Sequence, residues 1–167
     1  TCGDLFEVTT SKAVYRARTV LLSIGRRGTP RPLGVPGEDL DKVVYRLIDA
    51  EQYAGKRLVV VGGGDSALEA AASLAEQAGT QVILSYRGSA FARARAKNRD
   101  RVASLVASGR LDLRLGSQLL AITPDAVELA HGDERHRLAN DFVVICAGGL
   151  LPTQFLQDTG IRVEAKF

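Results

Sequence analysis

The sequence predicts an α/β fold, a mainly parallel sheet with flanking helices and a β-meander insert. Three observations carry that expectation. The apolar runs 58–61 and 142–146 read as buried strands, and each is followed at once or nearly so by glycines. Residues 66–78 contain neither Gly nor Pro and are rich in strong helix formers. A further strand-like run at 81–86 completes a strand–turn–helix–strand unit.

Taken in order, residues 5–10 alternate and favour a strand, Ser11-Lys12 a turn, and residues 14–18 a second strand. Residues 20–24 are apolar and read as a buried strand ending on Gly25. Gly25, Gly28, Pro30, Pro32, Gly34, Pro36 and Gly37 then mark a loop and a domain boundary. Residues 43–48 suit a short strand or turn, and 49–53 a helical turn before Gly55. Beyond the central unit, residues 100–108 form a helix with Val102, Leu105 and Val106 on one face and Gly109 just past its end. Residues 111–115 alternate as a third strand. Runs 119–122, 126–129 and 135–138 form the meander, with turns at Pro124-Asp125 and Gly132-Asp133. A tail from Pro152 carries a short helix near 155–157.

The 167 residues suffice for one good core, and the net charge of +3 is mild. That charge is uneven: residues 80–99 hold Arg87, Arg93, Arg95, Lys97 and Arg99 and no acid. With no nucleic-acid motif and only 5% aromatic residues, a local phosphate site explains the clustering better than a nucleic-acid partner. No apolar run approaches the roughly 18 residues that span a bilayer, and no secretory pattern opens the chain, so a cytoplasmic protein without a membrane partner is expected. Cys2 and Cys146 form no C-x-x-C and no metal-ligand spacing, so no metal is expected. His131 and His136 fall in a polar hairpin and read as solvent-facing. The chain has no Met and opens on Thr1, which suggests a piece of a longer protein.

The chemistry concentrates at Gly62-Gly63-Gly64-Asp65-Ser66-Ala67, which fits the G-x-G-x-x-G/A dinucleotide fingerprint. Gly62 permits the sharp turn, Gly64 lets a pyrophosphate approach the backbone, and Ala67 lets the helix lie close on the strand. The first N–H groups of the helix and its positive dipole end then face the phosphates. Asp65 and Ser66 are expected to cap those groups, and Ser66 could donate to a phosphate oxygen. At the end of the second strand an acid usually accepts from the ribose 2′-OH, but Tyr86 and Arg87 stand there instead. A guanidinium suits a 2′-phosphate, so NADPH is favoured over NADH, with Tyr86 available to stack on adenine. Arg93 joins the cofactor-binding candidates, although Arg93, Arg95 and Arg99 read equally well as a solvated helix start. Gly148 and Gly149 would let backbone approach a ligand at the carboxyl end of the sheet. No side chain stands out as catalytic, and hydride transfer asks little of side chains because the cofactors carry it.

These stretches resemble the nicotinamide-binding part of the thioredoxin-reductase-like, FAD-dependent pyridine nucleotide-disulfide oxidoreductases. Residues 62–69 are similar to their G-G-G-D-S-A-x-E. Leu22-Ser23-Ile24-Gly25 and Leu33-Gly34-Val35-Pro36-Gly37-Glu38 are similar to their A-T-G strand end and L-G-x-P-G-E linker. Ser85-Tyr86-Arg87 stands where they carry H-R-R, and Ala147-Gly148-Gly149-Leu150-Leu151-Pro152-Thr153 is similar to A-x-G-x-x-P-N. The resemblance implies a remnant of the FAD domain and linker at 1–33, an NAD(P)H-binding domain at 34–149 and a return into the FAD domain at 150–167. It implies FAD in the full-length protein, weak or no FAD binding by this piece, and a hydride passed from NADPH to FAD and on to an unidentified electron acceptor. The partners implied are the missing flavin domain of the same chain and a possible homodimer.

The departures are specific. Thioredoxin reductases carry a C-x-x-C where this chain reads Arg46-Leu47-Ile48-Asp49-Ala50, so no dithiol is expected here. Gly88 replaces the second Arg of H-R-R, and the family's later Arg falls at Ala92, one place before Arg93. Relatives without the dithiol include ferredoxin–NADP reductases and bacillithiol-disulfide-reductase-like proteins, and Tyr86-Arg87-Gly88 looks closer to the latter. A non-catalytic module that senses nicotinamide nucleotides is the alternative.

Overall fold

The computed structural model describes residues 5–23, 30–150 and 153–164. The chain divides into two compact units, 1–28 with 151–167, and 29–150. In the first unit, β1 (Phe6–Thr9) and β2 (Val14–Ala17) form an antiparallel hairpin with Phe6 opposite Ala17 and Thr9 opposite Val14. The Thr10 hydroxyl closes its turn, donating to the Ala13 carbonyl at 2.9 Å and accepting from the Lys12 and Ala13 N–H groups.

The buried strand expected at 20–24 is not found over its described part. Residues 20–23 are irregular and Leu21 is 91% exposed. A strand needs a partner for its N–H and C=O groups, and among the described residues none lies alongside. Ile24 and Gly25 lie outside the described residues, as do Gly28, Cys2, Leu151 and Pro152.

The second unit is built on five parallel strands. These are β3 (Val43–Val44), β4 (Arg57–Val61), β5 (Gln81–Tyr86) and β6 (Leu111–Leu115), joined by a last strand, Phe142–Ile145, numbered β10 below. The spatial order is β3-β10-β4-β5-β6, and every pairing is parallel. Helix α1 (Asp65–Ala75) carries the chain from β4 to β5, and α2 (Ala96–Ala107) from β5 to β6. The three remaining strands, β7 (Ser117–Ile122), β8 (Ala126–His131) and β9 (Glu134–Ala139), form the antiparallel meander.

Strand side chains alternate between faces, and the two faces have different covers. Leu58, Val60, Val82 and Leu84 pack with Leu68 and Leu74 of α1 and Val102 and Leu105 of α2. Val59, Val143 and Ile145 pack with Leu119, Val127 and Leu129 of the meander. The alanines of α1 are almost all buried, so the helix backbone sits close to the sheet. At its far end Thr80 Oγ1 donates to the Leu74 and Gln77 carbonyls at 2.7 and 2.9 Å, which accounts for a helix ending at Ala75 rather than at 78. Helix α2 starts at Ala96, ahead of the expected 100, and its Gly109 takes φ +70° just beyond the C-cap Ser108.

At the amino edge of the sheet, Arg57 clamps Asp141. Its Nη2 and Nε donate to the two carboxylate oxygens at 2.6 and 3.1 Å, tying β4 to the entry of β10. These bonds hold the Asp141 carboxyl down at about 2. A short helix, α3 (Thr153–Asp158), belongs to the first unit.

Candidate functional site

The carboxyl ends of β4, β5 and β10 bring the candidate residues to one edge. Each of the three turn glycines is glycine for a different reason. Gly62 has φ +149°, and a Cβ there would meet the Cys146 carbonyl oxygen at 2.5 Å and the Ala67 Cβ at 2.9 Å. Its N–H donates to the Ser85 carbonyl at 3.0 Å, and Ala67 is fully buried beneath it. A Cβ on Gly63 would run into the ring of Tyr86. A Cβ on Gly64 would meet nothing within 4 Å, and its φ of −98° and ψ of 177° suit any L residue. Among the described residues nothing requires glycine at that position.

The expected caps at Asp65 and Ser66 are not formed. Gly64 is the N-cap residue and no side chain caps α1. Asp65 is drawn to α2 instead: its Oδ1 accepts from the Arg95 N–H at 2.8 Å and from Asn98 Nδ2 at 2.7 Å. Those two donors hold its carboxyl below the usual range. Ser66 is exposed and its hydroxyl is free of the helix backbone. The Ala67 N–H turns back to the Gly64 carbonyl at 3.0 Å, and the Asp65 and Ser66 N–H groups are left without a partner among the described residues.

At the end of β5, Tyr86 is half-buried. Phe91 stacks on it with centroids 5.5 Å apart and planes 18° from parallel, and Gly88, like Gly63, has no room for a Cβ beside the ring. The five cations of the basic segment differ in what they meet, and Lys97 is exposed on α2 with no carboxylate partner among the described residues. Arg95 pairs with Asp65 at 3.7 Å and Arg99 donates to the Ala94 carbonyl at 2.6 Å, so both hold structure. Arg87 and Arg93 are exposed, and among the described residues neither meets a carboxylate.

Beyond β10, the Cys146 N–H donates to the Val61 carbonyl at 2.8 Å, placing this exit beside the glycine turn. Gly148 takes φ +87°, its carbonyl accepts from the Arg31 N–H at 3.0 Å, and Gly149 bridges Pro30. Burial pushes the Cys146 thiol up to about 11, so it is a neutral wall of this edge. His131 is exposed and His136 pairs with Glu134 at 3.3 Å, both on the meander. An open cavity of about 490 Å³ lies at the opposite, amino edge of the sheet, between Arg57, Thr80, Arg110 and Asn140. Ligands of open parallel sheets bind outside the carboxyl ends, the edge opposite that cavity.

Sequence reasoning missed Asn98, Glu69 and Phe91. Asn98 had a signal: with Val102 and Leu105 it falls on one stripe at helical spacing, and a polar residue on an apolar stripe needs a partner.

A five-stranded parallel sheet with a glycine turn at the carboxyl end of its central strand defines a Rossmann-type α/β fold. The chain belongs to the pyridine nucleotide-disulphide oxidoreductase family, whose model matches residues 2–166. It is 30% identical to the bacilliredoxin reductase Bdr of Bacillus subtilis, over 98% of this chain and 51% of that one. It is 34% identical to a ferredoxin–NADP reductase of Thermus thermophilus, over 97% of this chain and 51% of that one. Among solved structures, the bacillithiol disulfide reductase Bdr of Staphylococcus aureus superposes with a TM-score of 0.90 at 29% identity, over 99% of this chain and 51% of that one. A Lactococcus lactis thioredoxin reductase shares the fold, with a TM-score of 0.82 at 22% identity, covering 99% of this chain and 56% of that one. The family is one of flavin- and nicotinamide-dependent oxidoreductases, and this chain spans about half the length of these relatives. No helix of the described residues is long and apolar enough to cross a membrane.

Proposed function

We propose that this chain is the NAD(P)H-binding domain of a flavin-dependent oxidoreductase, serving hydride transfer from NADPH to FAD in the full-length protein and on to a separate acceptor. The observation that carries the reading is the open glycine. A Cβ at Gly64 would meet no atom of the described residues within 4 Å, directly at the end of α1 that no side chain among them caps. A diphosphate fits there by charge and by hydrogen bonding. Gly62 and Ala67 set the turn, Gly63 admits Tyr86, and Ser66 is free to donate to a phosphate oxygen. Arg87 and Arg93 hold the 2′-phosphate, and Tyr86 with Phe91 walls the adenosine end. Gly148 and Gly149 lie on the nicotinamide side. On this reading residues 1–33 and 150–167 belong with a flavin domain and 34–149 with the nicotinamide domain. The resemblance to relatives that lack a dithiol supports an acceptor reached without a C-x-x-C of this chain.

Calorimetric titration with NADPH and NADH at one salt concentration tests this. The parent binds NADPH more tightly. Replacing Arg87 with Ala weakens NADPH about tenfold, the value of one charge-assisted hydrogen bond, and leaves NADH within about twofold. Equal weakening of both cofactors would remove the 2′-phosphate role from Arg87.

A further inference from the structure

We infer that Asn98 is a positioning residue that sets the preference for NADPH, by tying the arginine segment to the glycine turn through Asp65 and Glu69. The inference rests on the 2′-phosphate reading of Arg87 and Arg93. Asn98 is 8% exposed and lies on the inner stripe of α2. Its Nδ2 donates to Asp65 Oδ1 at 2.7 Å and to Glu69 Oε1 at 2.9 Å, so both amide hydrogens are spent on two acids one helical turn apart on α1. The same Asp65 oxygen accepts from the Arg95 N–H at 2.8 Å. One carboxylate on the first turn of α1 thus anchors both the backbone and a side chain at the start of α2.

The geometry has two consequences. First, it fixes the end of the loop that carries Arg93, which otherwise lacks regular structure between β5 and α2. A guanidinium on an anchored loop loses less conformational freedom when it closes on a phosphate. Second, it turns the Asp65 carboxylate sideways. That acid belongs to the helix end where a diphosphate would sit, and left free it would repel the phosphates. Asn98 and Arg95 hold it against α2 and offset its charge. The diphosphate seat and the 2′-phosphate seat are therefore linked through Asp65, held by the buried Asn98 amide and by Arg95.

Asn98→Leu removes both donors while keeping the branched shape, and Asn98→Ser keeps one donor should the first variant fold poorly. The readout is the ratio of the NADPH and NADH dissociation constants, which a smaller folded fraction does not move. In Asn98→Leu the expected rise is about tenfold for NADPH against less than about threefold for NADH, and Asn98→Ser falls between it and the parent. Amide exchange at Arg95, measured without nucleotide, speeds up in both variants. A common rise for both cofactors, or an unchanged ratio with faster Arg95 exchange, overturns the positioning role. Failure of the underlying reading is visible separately: Arg87→Ala in the parent then leaves the ratio unchanged, and the inference falls with it.

Discussion

Gly64→Ala separates what the fold needs from what a ligand needs. A methyl at residue 64 meets no atom within 4 Å and the backbone there is in an ordinary extended conformation. Losing glycine's freedom in the unfolded chain stabilises by about 0.4–1 kcal/mol, while Ala is the poorer N-cap by a similar amount. The net change in stability is within about 1 kcal/mol. Gly62→Ala is the contrast. Its φ of +149° and a carbonyl oxygen 2.5 Å from the new Cβ leave no relaxed position. Backbone strain alone costs about 1–3 kcal/mol, and the collision brings the total to about 3 kcal/mol or more. With a urea slope of about 2 kcal/mol/M, that moves the unfolding midpoint down by about 1.5 M.

Urea unfolding followed by circular dichroism measures the first quantity, and calorimetric titration the second. Gly64→Ala should unfold within about 0.5 M of the parent and bind both NADPH and NADH at least about tenfold more weakly. Both cofactors suffer because both carry the diphosphate. Parent-like binding in a parent-like fold would refute the seat at Gly64, since the methyl would then occupy space the ligand does not use.

Further outcomes follow from the same geometry. Asp141 has a folded pKa of about 2, below its ordinary value of 3.8, so its pairing with Arg57 stabilises the fold above about pH 4 and is lost as pH falls toward 2. Asp141→Asn should therefore lower the urea midpoint at pH 7, with the gap to the parent closing by pH 2. Leu84 is fully buried between the sheet and both helices, and Leu84→Ala should cost about 2–5 kcal/mol in urea unfolding. The Cys146 thiol, held near 11, should alkylate far more slowly at pH 8 in folded than in urea-unfolded protein, read by mass spectrometry of its own peptide. Arg87 and Arg93 are exposed, so added salt should weaken NADPH more steeply than NADH; parallel salt slopes would argue against a 2′-phosphate contact.

Most of the second unit was legible because its signals are local. Strand β5 and the apolar strands β4 and β10 are runs of β-branched and apolar residues bounded by glycine or polar turns, and the meander announces itself by its turns. Where reasoning failed, the deciding partner came from elsewhere in the chain. Residues 20–23 have the composition of a strand but no neighbour to pair with among the described residues. Helix α2 begins at Ala96 because Asp65, on another helix, accepts from Arg95, and no local cap marks that start. Asp65 itself has the sequence position of a capping acid. Two donors at the start of α2 take its carboxylate, the Arg95 N–H and the buried Asn98 amide, whose second hydrogen goes to Glu69.

The basic segment shows how the fold turns a crude compositional signal into a directed one. Residues 80–99 hold five cations and no acid, which reads as one undivided patch. Folding brings Asp65 of α1 against it, where it takes up Arg95. No acid of the described residues reaches Arg87 or Arg93. Of the charge left over, Arg87 and Arg93 sit in the loop following β5, and Lys97 and Arg99 on α2. Like charges left unpaired on a surface repel one another, weakly in water and more at low salt, and a bound anion adds to their relief. That loop follows the strand next to the one bearing the open glycine, so the same dinucleotide would answer both the empty space at Gly64 and the unanswered charge at Arg87 and Arg93.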